Sequence, residues 1–314
     1  MKNALRCILL VALSVGALPS VAIASPNHFE THRSDGSTID WYVDKPKENG
    51  KTGLIVMAQG SGCLSVLHNE NLLASRSAFS EFALLFVEKY GVKPGDNPKD
   101  DHRDCSASFY NHHTVSQRVA DYKQVIDQLR GEPWWNGDLV LFGGSEGGMV
   151  SGLLAEQAKP GAVILISTGA GVTFGQMVKQ SFPKENWPMV DEGFAKARQK
   201  PTSNEVLAGQ SLRYWADAID RRIVDNMLRT DTAFLLIQGG RDAPIIVDAA
   251  RAASSLFATA GRCNLTYWEY PGYNHGMIDA AGNSNMDDVL SQSAQWLHNQ
   301  IPGRAKHPAC MTPN

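Results

Sequence analysis

The chain has 314 residues, 43% hydrophobic and 19% charged, with 28 glycines and 15 prolines, which is the balance of a globular protein and not of a disordered, fibrous or coiled-coil one. At this length a chain buries about three quarters of the surface its unfolded form exposes, so it folds without staples. The formal charge of -3, from 29 Lys+Arg against 32 Asp+Glu, lacks the basic excess of a binder of nucleic acid or anionic membrane, and no such partner is expected.

Residues 1–24, MKNALRCILLVALSVGALPSVAIA, place Lys2 and Arg6 before an apolar stretch that ends in the small-x-small site Ala22-Ile23-Ala24. That is the pattern of a bacterial secretory signal peptide. Its apolar core is shorter than the ~20 residues of a membrane span and Pro19 interrupts its end, so an anchor is the weaker reading. The expected product is periplasmic or secreted, with no membrane insertion after cleavage. Without Cys7, the cysteines that remain are Cys63, Cys105, Cys263 and Cys310. An even number in an oxidising compartment favours two disulfides, and no pair has the C-x-x-C spacing of a metal site. The preferred pairing is Cys63–Cys105, tying two loops at one sheet edge, with Cys263–Cys310 pinning the C-terminal tail.

Along the remaining chain, the runs flanking Ser34-Asp35-Gly36-Ser37 predict a hairpin. Unbroken apolar runs follow at 52–62, 82–91, 138–145, 162–168 and 233–240, with LTYWEY at 265–270, as in strands covered on both faces of a parallel sheet. Helical stretches alternate with them at about 66–80, 114–130, 146–158, 246–260 and 286–300. In the second, Val115, Val119, Tyr122, Ile126 and Leu129 make one apolar stripe. This alternation predicts an α/β domain over 25–314 with crossover connections. Residues 91–113 read as a long polar loop. Residues 169–231 read as a helical insertion without a convincing strand, packed over one end of the sheet as a cap. Trp134, Trp135, Tyr214 and Trp215 read as core or cap packing.

The chemistry concentrates at Gly143-Gly144-Ser145-Glu146-Gly147-Gly148, between the strand DLVLF and a helical run. A serine on a sharp strand-to-helix turn needs glycines two residues either side and projects its hydroxyl beyond the sheet, beside a helix N-terminus. Such a nucleophile needs a histidine base and a carboxylate that holds the histidine's tautomer. His275 follows LTYWEY at the same sheet end, and Asp242 follows the strand AFLLIQG. Asp217, Asp231 and Asp248 are poorer candidates by position. His28, His32, His298 and His307 read as surface groups; His102, His112 and His113 read as solvated loop residues, with pocket lining as the alternative, and His68 as a minor substrate contact. Oxyanion donors are expected from the Glu146 N–H and from the loop Ala58-Gln59-Gly60-Ser61-Gly62, through Ser61 N–H or, alternatively, Gly60 N–H.

The chain order Ser145, Asp242, His275, the G-x-S-x-G elbow and the early glycine loop together resemble the α/β-hydrolase superfamily over about residues 30–300. The GGSEGG, GGRD and NHG segments look most like its dienelactone-hydrolase-like and prolyl-oligopeptidase-like branch. Gln59 stands where many relatives carry histidine. The resemblance implies a mostly parallel eight-stranded sheet flanked by helices, with a cap inserted after the sixth strand. It also implies a serine hydrolase acting on a small ester through an acyl-enzyme, with no cofactor or metal. A peptidase or amidase acting on short peptides with the same triad is the alternative, and a non-catalytic binding protein of this fold a third reading.

Overall fold

The computed structural model describes residues 26–47 and 50–300. Residues 1–24 and Cys310 lie outside the described residues. The strands are β1 Asn27–His32, β2 Thr38–Asp44, β3 Thr52–Ala58, β4 Ala83–Val87, β5 Trp135–Gly144, β6 Ala162–Ile166, β7 Val206–Leu207, β8 Gln210–Ser211, β9 Ala233–Gly239 and β10 Leu265–Tyr270. The α-helices are α1 Glu70–Ala78, α2 Ala107–His112, α3 Val115–Leu129, α4 Glu146–Ala158, α5 Phe174–Gln180, α6 Trp187–Gln199, α7 Leu212–Ala218, α8 Ile223–Met227, α9 Pro244–Thr259 and α10 Met286–Gln300. Eight strands form one sheet in the order β1-β2-β4-β3-β5-β6-β9-β10. β2 pairs antiparallel with β1 and β4, and from β4 to β10 every pairing is parallel.

The central strands are apolar throughout because both sheet faces are covered. Along β3, Leu54, Val56 and Ala58 enter one core, shared with α3, α4 and the helices of the insertion, while Ile55 and Met57 enter the other, shared with α1 and α10. The same alternation runs through β5, with Leu139 and Leu141 on the first face and Val140 and Phe142 on the second. All five residues of the predicted stripe on α3 are buried.

Three local expectations are corrected. The polar segment 91–113 contains α2, started by Ser106, whose Oγ accepts from Phe109 N at 3.0 Å. The stretch 66–80 is a 3-10 turn at Val66–His68 and then α1, because the Asn69 side chain caps a new start there. The segment between β6 and β9 holds α5 to α8 but also the short antiparallel ribbon β7–β8. Its helices bury Leu212, Trp215, Ile223 and Met227 in the same core as α3 and α4. Gly152 of α4 lets Ile223 approach so closely that an added Cβ would lie 2.2 Å from it.

Cys63, after β3, and Cys105, before α2, are disulfide-bonded with Cα atoms 5.6 Å apart. Cys263 is also disulfide-bonded. A buried ion pair ties the turn after β1 to α3: Arg33 donates from Nε and Nη2 to the two Asp121 oxygens at 2.8 and 2.9 Å. Arg33 also lies 4.1 Å from the Tyr90 ring centre. Asp121→Ala would leave the guanidinium buried without its carboxylate, and urea unfolding should show a loss of about 3–5 kcal/mol. A loss below about 1 kcal/mol would mean that the pair behaves as a surface ion pair and does not anchor the turn.

Candidate functional site

Ser145 sits between β5 and α4 at φ 53°, a left-handed conformation that is costly for a residue with a Cβ. Its N–H donates to Ile166 O at 2.9 Å. The flanking glycines are required by space: a Cβ on Gly143 would lie 2.2 Å from Gly147 O, and one on Gly147 would lie 2.0 Å from Ala58 O. The elbow is therefore wedged against the end of β3. Gly60 stands beside it, its ideal Cβ position 3.8 Å from Ser145 Cβ.

Asp242 and His275 follow β9 and β10 at the same, carboxyl end of the sheet. His275 Nδ1 lies 2.7 Å from Asp242 Oδ2, the contact of an Nδ1–H donor with a carboxylate. Gln238 Nε2 donates to the same oxygen at 2.8 Å and Ala243 N to Oδ1 at 2.7 Å, so the carboxylate is held from three sides. The loop carrying His275 is itself folded on Asn274, whose Oδ1 accepts from Gly276 N and Ile278 N at 3.0 Å. Ser167 Oγ donates to His275 O at 2.8 Å, tying that loop to the end of β6. A Cβ on Gly239 would meet Asn274 O at 2.3 Å, which explains a glycine at the end of β9.

Two hollows meet at Ser145, Ser167 and His275. One of about 220 Å³ has Leu72, Phe142, Ile166, Met286 and Leu290 in its wall. The other, about 90 Å³, is closed by Met149, Phe174, Met177, Val178 and Ile246. A larger hollow of about 590 Å³ lies at the other end of the strands, around Leu139, Gly161 and Ala233. Size does not select the site here, because ligands of open α/β sheets bind at the carboxyl ends.

Beneath the elbow lies a buried polar group that sequence reasoning missed. The Glu146 side chain accepts from Arg118 Nη1 at 2.6 Å and from Tyr214 OH at 2.7 Å, and His113 Nε2 is 3.5 Å away. Arg118 Nη2 donates to Gln59 O at 2.7 Å. Lys89 Nζ donates to Gly60 O at 2.6 Å and to Gly62 O. All four ionisable groups, Lys89, His113, Arg118 and Glu146, are buried. Their signals were present: Arg118 falls on the apolar stripe of α3, and Glu88-Lys89 directly follow the buried strand β4. His113, expected as solvated, is 1% exposed because its ring stacks on Phe109 at 4.4 Å and Tyr214 at 5.5 Å. Tyr214 is more than packing, since its hydroxyl is spent on Glu146. Asp217 anchors the insertion instead, accepting from Ser116 N and Oγ at 2.8 and 2.6 Å. Trp135 packs in the core and Trp134 packs against it.

Burial pushes Lys89 down to about 7, and the Arg118 charge adds to that. Burial likewise lowers His113 to about 4 and raises Glu88 to about 7. Burial opposes ionisation of Glu146, yet His113 and Arg118 outweigh it and hold the carboxyl well below its ordinary value. Among the described residues, the one grouping with metal-ligating geometry is His28, Glu30 and Asp40, ligand atoms within 4.8 Å of one another, on the edge pair β1–β2 away from this site.

A neutral buried His113 makes stability pH-dependent. Its folded value lies below the unfolded 6.5, so its contribution is complete above pH 6.5 and is lost as pH falls toward 4. His113→Phe preserves the stack and has nothing to protonate. The unfolding free energy of the wild type relative to this variant should fall by on the order of 3 kcal/mol between pH 7 and pH 4. Glu88 titrates in both proteins and drops out of the difference, so a flat difference would show that His113 is not held neutral.

No protein-family model and no curated protein matches the chain. Solved structures do match. Est1E from Butyrivibrio proteoclasticus superposes with a TM-score of 0.59 at 17% identity, over 88% of this chain and 99% of that one. A fungal esterase from Rhizomucor miehei gives 0.58 at 18% identity, over 91% and 84%. The acylaminoacyl peptidase of Pyrococcus horikoshii gives 0.58 at 14% identity, over 88% of this chain but 41% of that one. With its sheet order, its single antiparallel reversal at β2 and the elbow after β5, this chain has the fold of the α/β-hydrolase superfamily.

Proposed function

We propose that this chain is an exported serine hydrolase that cleaves small, uncharged carboxylic esters. The observation that carries the reading is Ser145, strained at φ 53° between two apolar hollows whose shared wall also bears His275, itself held by Asp242 at 2.7 Å. Ser145 Oγ attacks the ester carbonyl while His275 Nε2 takes its proton, and Asp242 stabilises the resulting imidazolium. The negative oxygen is met by Glu146 N–H and by Ser61 or Gly60 N–H. Among the described residues, none of these three groups donates to a protein acceptor. His275 then gives its proton to the departing alcohol and activates the water that frees the acid. The reaction as written requires no cofactor.

The hollows favour uncharged esters over peptides with a free terminal amine. Apart from His275, the ionisable lining residue is Glu146, and its carboxylate is occupied by Arg118 and Tyr214. A peptidase that captures a terminal amine needs a carboxylate free to receive it. Est1E, whose fold this chain shares, has been solved with ferulic acid bound, an uncharged aromatic ester being a matching substrate class to test here. The insertion 169–231 serves as the cap, its α5 supplying Phe174, Met177 and Val178 to the smaller hollow. Export accords with the Cys63–Cys105 disulfide and with residues 1–24 as a leader cleaved after Ala24.

Intact mass after a fluorophosphonate probe should show one adduct on the wild type and none on folded Ser145→Ala. The variant's p-nitrophenyl acetate turnover should drop by a factor on the order of 10⁴ or more. No adduct on folded wild type would overturn the hydrolase reading, and faster cleavage of a peptidyl p-nitroanilide than of the ester would overturn the ester reading. The mature N-terminus recovered from a bacterial periplasm should be Ser25; an uncleaved Met1 would overturn the leader.

A further inference from the structure

The candidate oxyanion donors, Ser61 or Gly60 N–H and Glu146 N–H, belong to two separate segments, the loop after β3 and the first turn of α4, and something must keep them in register. A trans peptide points its C=O and its N–H in opposite directions, so whatever grips the carbonyl aims the amide. The C=O of Gln59 shares a peptide with the N–H of Gly60, and the C=O of Gly60 shares one with the N–H of Ser61. Arg118 Nη2 grips the first carbonyl at 2.7 Å and Lys89 Nζ the second at 2.6 Å. Lys89 also grips Gly62 O, and Gln59 Nε2 donates to Leu64 O at 3.0 Å, so the loop is held from inside along its length. The other end of the Arg118 fork sits on the side chain of Glu146, whose own N–H is the donor from α4.

We infer that Lys89 and Arg118 are positioning residues of the oxyanion hole, Lys89 aiming Ser61 N–H through Gly60 O and Arg118 aiming Gly60 N–H through Gln59 O, with Glu146 linking that loop to the elbow. The inference rests on the serine-hydrolase reading. Stability alone is a poor reason for such a group. Lys89, Arg118 and Glu146 are all taken out of water, an arrangement that apolar residues of similar volume often match or exceed. Burial lowers Lys89 to about 7, a measure of what its placement costs. Charge-assisted donors are also the stronger grip on a carbonyl, which favours cations for this task.

The test uses the exported protein and Lys89→Met, an apolar side chain of similar length. Turnover of p-nitrophenyl acetate should fall about ten- to a hundredfold, short of the 10²–10³ typical of losing a whole oxyanion donor, with KM changed less than about threefold. A trifluoromethyl ketone, which forms the tetrahedral adduct, should bind more weakly by the same factor as kcat, while acetate inhibition stays unchanged. Fluorophosphonate should still label every chain. Turnover within about twofold of wild type, or a loss in which ketone and acetate weaken together, would overturn the inference, since a merely structural role would not single out the tetrahedral state. Should Lys89→Met not fold, Arg118→Lys keeps the charge beside Glu146 but loses one arm of the fork, and the same readouts decide. Failure of the wild type itself to take the probe would sink the hydrolase reading instead, which separates the two.

Discussion

The absence of space at the elbow governs the rest of the structure. The start of α4 presses on the end of β3 closely enough that Gly147 leaves 2.0 Å between an ideal Cβ and Ala58 O, and Gly143 is pinned in turn against Gly147. Within that contact Ser145 has no alternative to positive φ, a strain of about 1–3 kcal/mol that the packed surroundings must sustain. Its neighbours follow from the same wedge. The residue after the serine is driven inward, so Glu146 is 4% exposed and must find partners where water cannot supply them.

Those partners come from distant parts of the chain: Arg118 from α3, Tyr214 from α7 and His113 from the end of α2. A carboxylate without them would be neutralised or expelled, and the cation without the carboxylate would fare no better. The insertion is therefore built into the site from below, through Tyr214, as well as lining it from above through α5. Its apolar residues belong to the same core as α3 and α4, so it is a fixed part of the domain's packing.

The two hollows and the charged group beneath them divide the labour. Ionisable side chains are engaged with one another or with backbone carbonyls behind the loop 59–62, while the walls in front combine apolar side chains with the uncharged Asn69, Asn71, Ser167, Thr168 and Ser181. The Cys63–Cys105 link and the bond from Cys63 N to Asp101 O at 2.8 Å hold the far end of that loop, where Lys89 also acts. An ester carbonyl placed at Ser145 would meet fixed backbone donors, an environment suited to stabilising charge that appears only during reaction.

Much of this was legible in one dimension. The alternation of apolar runs and the α3 stripe are local periodicities, set by which faces are covered, and they placed the strands and helices within a few residues. The elbow was legible because its glycines are spaced by a steric rule, and Asp242 and His275 because each follows a strand that must end at the same edge. The α2 start and the β7–β8 ribbon were not, since single caps and two-residue pairings leave almost no periodic trace. Least legible was the group beneath the elbow. Lys89, His113, Arg118, Glu146 and Tyr214 are spread over 126 positions of sequence. The charged residues among them are of types that ordinarily face water. The sequence by itself determined the layer order and the residues that end each strand, because those depend on near neighbours. Only the tertiary structure decided which buried charges meet, because a charge in a low-dielectric interior is settled by whatever opposite charge the fold brings within about 3 Å of it.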